Sequence, residues 1–358
     1  MNARRRFLRA AALGAVGTGL ARFAPADDAP DVTPPDLLTA DAIAAVDRGL
    51  RYLAQAQSEN GAYQDTGSGN VAVTGLAGLA FMAGGHQPAR GTYARNVSRC
   101  LDFLLARFAV SKPVGYLSGS NEPSHSGMYQ HGFGTLFLAE LNGMVPEPDR
   151  ARRLREALEK AVEVIVKSQN REGGWRYQPY ASEGDVSVTV AMLMALRAAR
   201  NAGIFVPKSA IDAGVRYVKG CQLDDGGFCY ILNQRFTPAV FPRSAAAIVG
   251  LYSAGIYDGP EIDRGLKYLM RFLPGRGNRD QRGEMNYFYG QYYAALAMWT
   301  AGGKYWADWF PAIREDLLAR NRGFGGTWND PATGPAFATA SACIILQLSN
   351  NYLPILQK

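Results

Sequence analysis

Two kinds of helical pattern alternate along this chain. In the first, apolar residues recur at i, i+1 and i+4 with Arg, Lys, Asp or Glu between them. Gly49-Leu-Arg-Tyr-Leu-Ala-Gln-Ala-Gln57 and Gly214-Val-Arg-Tyr-Val-Lys-Gly-Cys-Gln222 are two copies. That spacing predicts a helix with one buried and one wet face. Related copies begin at Cys100, Ala161, Gly265 and Arg314, which sets a unit of about 50 residues. The second pattern is poor in charge and rich in Ala. It covers Val71 to Met82, Met128 to Leu141, Asp185 to Ala202, Pro242 to Ala254, Tyr287 to Ala301 and Ala336 to Leu348. Helices apolar nearly all round are buried by neighbours on most sides. Aligned, they share a register of small residues at Thr74, Gly132, Thr189, Ser244, Gly290 and Thr339. The expectation there is close approach of inner-helix backbones.

Between the two patterns stands a turn of the form Q-x-x-x-G-x-aromatic. It reads Gln57-Ser-Glu-Asn-Gly61-Ala-Tyr63, Gln169-Asn-Arg-Glu-Gly173-Gly-Trp175 and Gln222-Leu-Asp-Asp-Gly226-Gly-Phe228, with Arg322-Gly-Phe-Gly-Gly326-Thr-Trp328 as a variant. The Gln suits exposed backbone groups at helix ends, the Gly a positive φ at the helix stop, and the ring packing on the adjoining unit. One unit is therefore an outer amphipathic helix, a glycine turn and an inner apolar helix. A single unit cannot bury its own apolar face, so units stack. The last inner helix is as apolar as the others and lacks the polar face of a capping repeat, which favours ring closure. The expected class is all-α: a closed α6/α6 toroid, a double ring of six helical hairpins.

Composition changes this picture little. At 47% hydrophobic and 19% charged the chain is not of a disordered kind. The net charge of +7 includes five Arg and no acid in residues 1–26, leaving +2 for the rest, so nucleic acid is not an expected partner. Arg4-Arg-Arg-Phe-Leu-Arg9, an Ala/Gly-rich run to Ala21 and Ala24-Pro-Ala26 have the order of a twin-arginine-type signal peptide with an A-x-A cleavage site. The expected organisation is signal peptide 1–26, linker 27–40 and a single toroid domain 41–358, exported to the periplasm or cell exterior. The apolar run is too short for a membrane span. Four cysteines are present, and Cys221 and Cys229 flank the Asp224-Asp-Gly-Gly227 turn, as a bridged pair or as small buried thiols. No C-x-x-C occurs and all three His lie in the first half, so neither a zinc site nor a cofactor is expected.

The Q-x-x-x-G-x-aromatic turns on paired helices resemble those of the terpenoid cyclase and protein prenyltransferase toroids, the prenyltransferase and squalene-oxidase repeat proteins. Ser187-Val-Thr-Val-Ala191 also resembles the S-x-T-A stretch of squalene cyclase inner helices. The resemblance spans about residues 40 to 355 and implies a ring with an apolar central cavity. The family's chemistry is largely missing. No D-x-D-D acid occurs in the repeats, no D-x-C zinc ligand pair is present, and C-G-E-Q is absent.

Unusual polar residues cluster at the inner-helix starts: Tyr129, His131, Asp185, Arg243, Tyr287 and Tyr289. They are the candidate ligand-binding set, with Asp185 and His131 as candidate catalytic groups. Asp185 also reads as an N-cap, His131 as a hydrogen-bonded core histidine, and the tyrosines as packing. The first functional expectation is an exported toroid that binds an apolar, isoprenoid-like small molecule or a polypeptide in its centre. Two alternatives are an isoprenoid-processing enzyme using Asp185 as acid, and a carbohydrate lyase or hydrolase. The latter would use His131, Tyr289 and Arg243, or Glu183 with Asp185.

Overall fold

The computed structural model describes residues 37–63, 69–119, 125–275, 286–322 and 326–357. The expected signal peptide (1–26) and most of the expected linker (27–40) lie outside the described residues. Twelve α-helices follow one another among them. These are α1 Ala40–Ala56, α2 Val71–Ala83, α3 Ala94–Ala109, α4 Gly127–Leu141, α5 Pro148–Lys167 and α6 Val186–Asn201. Then come α7 Lys208–Gly220, α8 Phe241–Ser253, α9 Pro260–Leu269, α10 Tyr287–Ala301, α11 Gly303–Arg322 and α12 Pro335–Leu346. Odd-numbered helices form the outer ring and even-numbered helices the inner one. The outer helix α1 buries only the stripe Ala42, Ala45, Val46, Gly49, Leu50 and Leu53. The inner helix α4 buries every residue except Tyr129.

Each inner helix packs on the next, and α12 packs back on α2. The seam is closed by bonds between the two ends of the chain. Arg48 Nη2 donates to Asn321 Oδ1 (3.2 Å), Arg314 Nη1 to the Leu37 carbonyl (2.9 Å) and Gln347 Nε2 to the Ala80 carbonyl (3.1 Å). The molecule is thus an all-α toroid. The outer helices all start ahead of the expected repeat starts, by 5 to 13 residues: α5 at Pro148, not Ala161, and α11 at Gly303, not Arg314, mark the largest differences. The helix α11 runs through Pro311 and includes Trp306 and Trp309. Trp309 is fully buried and stacks on Phe241, with ring centroids 6.1 Å apart.

The turns link neighbouring units. Gln57 Nε2 donates to the Gly61 carbonyl of its own turn (3.0 Å) and to the Asn96 carbonyl of α3 (3.1 Å). Gln169 and Gln222 repeat this with Gly173 and Ala210, and with Gly226 and Glu261. The glycine answers two constraints at once. Gly226 has φ +90°, and a Cβ there would stand 2.4 Å from the Arg264 carbonyl oxygen of the next outer helix.

The small-residue register does more than admit close packing. Thr74, Thr189, Ser244 and Thr339 each offer a side-chain oxygen to the backbone N–H of the turn aromatic. The donors are Tyr63 (3.0 Å), Trp175 (3.1 Å), Phe228 (3.0 Å) and Trp328 (3.3 Å). These N–H groups are buried, and each hydroxyl satisfies one of them. Only the glycines of the register fit the expectation of crowding: a Cβ on Gly132 would lie 2.6 Å from the Met192 methyl.

At the pole where the inner helices end, the C-terminal segment covers the barrel. Asn350 Nδ2 donates to the Ala83 carbonyl, Arg197 Nη2 to the Gln357 carbonyl, and the Ile355 N–H to the Glu140 carboxylate.

Candidate functional site

A cavity of about 480 Å³ lies at the opposite pole, where the inner helices begin. Its lining comes from the first turns of these helices and the residues just before them, with Tyr177, Tyr230, Asp330 and Thr333 added from loops. Part of the lining is apolar, including Val73, Leu76, Phe133 and Phe337. The rest carries hydroxyls, amides, one cation and one carboxylate, among them Tyr129, Tyr230, Tyr289, Gln130, Arg243 and Asp330. Inner-helix N-termini face this pole, so their dipoles add positive potential to it.

Arg243 enters the cavity wall from the first turn of α8, behind Pro242. Its Nε donates to the Phe228 carbonyl (2.9 Å), its Nη2 donates to the Pro238 carbonyl, and its guanidinium lies 5.6 Å from the centre of the Tyr230 ring. Among the described residues no carboxylate lies within ion-pairing distance of it. Burial lowers its pKa from the ordinary value, but a guanidinium remains charged at physiological pH. Gln130 is fixed by three bonds: its Oε1 accepts from the N–H groups of Val71 (3.1 Å) and Gly119 (2.9 Å), and its Nε2 donates to Ser126 Oγ (3.0 Å). Asp330 is held in a turn, accepting from the N–H groups of Ala332 and Thr333. Burial raises the pKa of Tyr129, Tyr230 and Tyr289, so these phenols stay neutral and able to donate.

The structure brings Tyr129, Arg243 and Tyr289 to this cavity and leaves Asp185, His131 and Tyr287 out of its lining. Asp185 is fully buried as the N-cap of α6, with Oδ1 accepting from the Val188 N–H (2.9 Å). Its Oδ2 lies 3.6 Å from Arg176 Nη1. Burial pushes its pKa up to about 6, opposed by the Val188 N–H and the Arg176 charge. It sits behind the tyrosine wall: Arg176 lies over the rings of Tyr177 (4.7 Å) and Tyr230 (5.2 Å), whose hydroxyls bond to each other. Glu183 is exposed in the preceding loop and joins no carboxylate pair in the cavity.

His131 is a structural group. It is fully buried, its Nδ1 accepts from the Leu117 N–H (3.1 Å), and its Nε2 donates to the Ala161 carbonyl (3.1 Å). Burial lowers its pKa to about 4, so it is neutral. Leu117 is the turn residue of the second unit, and His131 supplies the acceptor that Gly132 lacks. Tyr287 is also occupied elsewhere. Its hydroxyl donates to Asp316 Oδ2, and Arg320 lies 3.7 Å over its ring.

Sequence reasoning missed Tyr177, Tyr230, Gln130, Asn70 and Asp330 as lining residues. Tyr177 and Tyr230 follow the turn aromatics Trp175 and Phe228 by two positions, and that shared offset was a readable signal. Among the described residues no group of three His, Cys, Asp or Glu side chains is placed to hold a metal ion, and no helix is long and apolar enough to cross a membrane.

No family model matches the sequence, and no curated protein matches it. Solved structures do. The apo type II terpene cyclase MstE from Scytonema aligns over 88% of this chain and 100% of its own, with TM-score 0.61 at 13% identity. The α-1,6-mannanase GH76A of Salegentibacter sp. HEL1_6 aligns over 87% and 99%, with TM-score 0.60 at 8% identity. An α-amylase from Clostridium perfringens aligns over 85% and 96%, with TM-score 0.58 at 11% identity. The chain therefore shares the α/α toroid fold of type II terpene cyclase MstE and of glycoside hydrolases of family 76.

Proposed function

We propose that this toroid binds a small amphipathic molecule in the cavity at the inner-helix starts. An apolar, isoprenoid-like body would lie against Val73, Leu76, Phe133 and Phe337, and a polar or anionic end would meet Arg243 and the tyrosine hydroxyls. The observation that carries this reading is one cavity lining that combines apolar side chains with tyrosine hydroxyls and a guanidinium that pairs with no carboxylate among the described residues. The volume suits a small ligand better than a polypeptide. A variant of the neighbour MstE, in complex with geranylgeranyl dihydroxybenzoate as substrate, offers a precedent for such a molecule on this fold. The acid-catalysed alternative loses support because Asp185 caps its own helix behind the tyrosines. The carbohydrate alternative loses its proposed base, because both ring nitrogens of His131 are engaged by backbone.

Two fluorescent probes test the reading. Anilinonaphthalene sulfonate carries an anion, and N-phenyl-1-naphthylamine is a neutral relative. Arg243→Ala should weaken the first about tenfold, the worth of one charge-assisted contact, and leave the second nearly unchanged. Equal affinities of wild type and variant for the sulfonate would overturn it. Mass spectrometry of small molecules co-purifying with the protein from its native host would then identify the ligand.

A further inference from the structure

The geometry points to an intrachain disulfide between Cys221 and Cys229 as a modification site of this protein, and it does not rest on the ligand reading. The two residues stand directly opposite one another across the Gln222 turn. Gln222 and Phe228 form an antiparallel bridge, the Leu223 N–H donates to the Gly227 carbonyl (2.8 Å), and the Cys229 N–H donates to the Cys221 carbonyl (2.9 Å). Residues opposed in this way have Cα atoms about 5.5 Å apart, inside the disulfide range of about 4.4 to 6.8 Å. The Cys229 thiol donates to the Ile231 carbonyl (3.3 Å), and each of the two thiols perturbs the titration of the other. The other two cysteines have no such neighbour: Cys100 Sγ accepts from Gln57 Nε2, and Cys343 Sγ faces the Val46 carbonyl.

The chemistry balances with a disulfide oxidant, either glutathione disulfide or an oxidised dithiol oxidoreductase. The neighbouring Cys221 thiol lowers the pKa of Cys229, with Arg235 and Arg243 adding to the effect, so Cys229 is the better thiolate. Its sulfur attacks the oxidant's disulfide, and a mixed disulfide forms as one oxidant thiolate leaves. Cys221 loses its proton and attacks the Cys229 sulfur, expelling the second thiolate. Two electrons and two protons leave the pair, and the oxidant becomes two thiols. Both cysteines are buried, so the reaction waits on opening of the segment after Cys229, where Phe236 is 85% exposed. The bond would pin the stem from which Tyr230 and the carbonyl partners of Arg243, Phe228 and Pro238, reach the cavity. An oxidising compartment, as the twin-arginine-type start implies, would favour it.

The test is thiol counting on the full chain after incubation with glutathione disulfide. The protein is denatured, alkylated and digested. The expected result is that Cys100 and Cys343 are alkylated, while peptides holding Cys221 and Cys229 are joined until reductant is added. Oxidation should also raise Tm by about 4 °C, as expected for closing a nine-residue loop in a domain of this size. In Cys221→Ser, Cys229 should instead retain a glutathione adduct. Alkylation of all four cysteines after prolonged oxidation would overturn the proposal. So would a bridge joining either residue to Cys100 or Cys343. The wild-type count decides even where the variant fails to fold.

Discussion

Replacing Thr189 by Val tests whether the small-residue register is a packing device or a hydrogen-bonding one. Thr189 and Trp175 are both fully buried, and Thr189 Oγ1 accepts the Trp175 N–H at 3.1 Å. Val has the shape of Thr with a methyl in place of the hydroxyl. By packing and hydrophobic transfer alone, Thr189→Val should be neutral or slightly stabilising. If the hydroxyl is the required group, the variant leaves a buried N–H without an acceptor, at a cost of about 1–3 kcal/mol. Thr189→Ser keeps the acceptor and loses one methyl, a loss of about 0.8 kcal/mol. The expected order of stability is therefore wild type, then Ser, then Val. Urea unfolding followed by circular dichroism measures it: the midpoint should fall in that order with the slope unchanged. A Val variant as stable as wild type would refute the hydrogen-bonding account and restore simple crowding.

Three further outcomes follow from the same contacts. Gly226→Ala should lose more than about 2 kcal/mol, combining a positive φ with a Cβ driven into the Arg264 carbonyl. Gly143→Ala, at φ +87° with nothing within 4 Å of the new Cβ, should lose only about 1 kcal/mol; equal losses in urea unfolding would show the interhelix contact to be loose. The carboxyl of Glu140 is buried, and burial pushes its pKa up to about 7. A raised carboxyl pKa contributes stability that is complete below pH 4.5 and is lost as pH rises through 7, so Glu140→Gln should be the more stable protein at pH 8 by about 3 kcal/mol. A pH-independent difference between the two proteins would contradict this. His131, neutral in the fold with its pKa near 4, contributes in the opposite sense: its share is present above pH 6.5 and is lost as pH falls toward 4. Acid unfolding in that window should be less steep in His131→Asn.

The fold was legible because it is repetitive. A wet-faced helix, a glycine turn and a greasy helix recur with enough regularity that inner-helix ends lie within about two residues of their expected places. Closure was legible from the lack of a polar cap on the last helix, and Trp328 packed against Gly49 shows how the sixth turn meets the first outer helix. The starts of the outer helices were not legible, because their first turns are largely exposed and carry little of the apolar stripe; in α11 the buried Trp309, Phe310 and Ile313 hold the helix through Pro311.

The candidate site was half legible, and His131 shows why. His131, Arg243 and Tyr289 occupy one register, immediately before the small residue, where other units carry Val73, Val188 or Ala338. Reading every polar departure there as cavity-facing succeeds for Arg243 and Tyr289 and fails for His131. Between Arg243 and His131 the difference lies in the next residue; the turn that would pose the same question for Tyr289 and Gly290 lies outside the described residues. Ser244 satisfies the Phe228 N–H, so Arg243 is released to the cavity wall, whereas Gly132 has no hydroxyl and its unit's buried Leu117 N–H needs another acceptor. A repeat thus constrains its residues in pairs. In the second unit, where Gly132 drops the hydroxyl that Thr74, Thr189, Ser244 and Thr339 supply to their turns, the polar neighbour His131 restores the acceptor and is not free to meet a ligand.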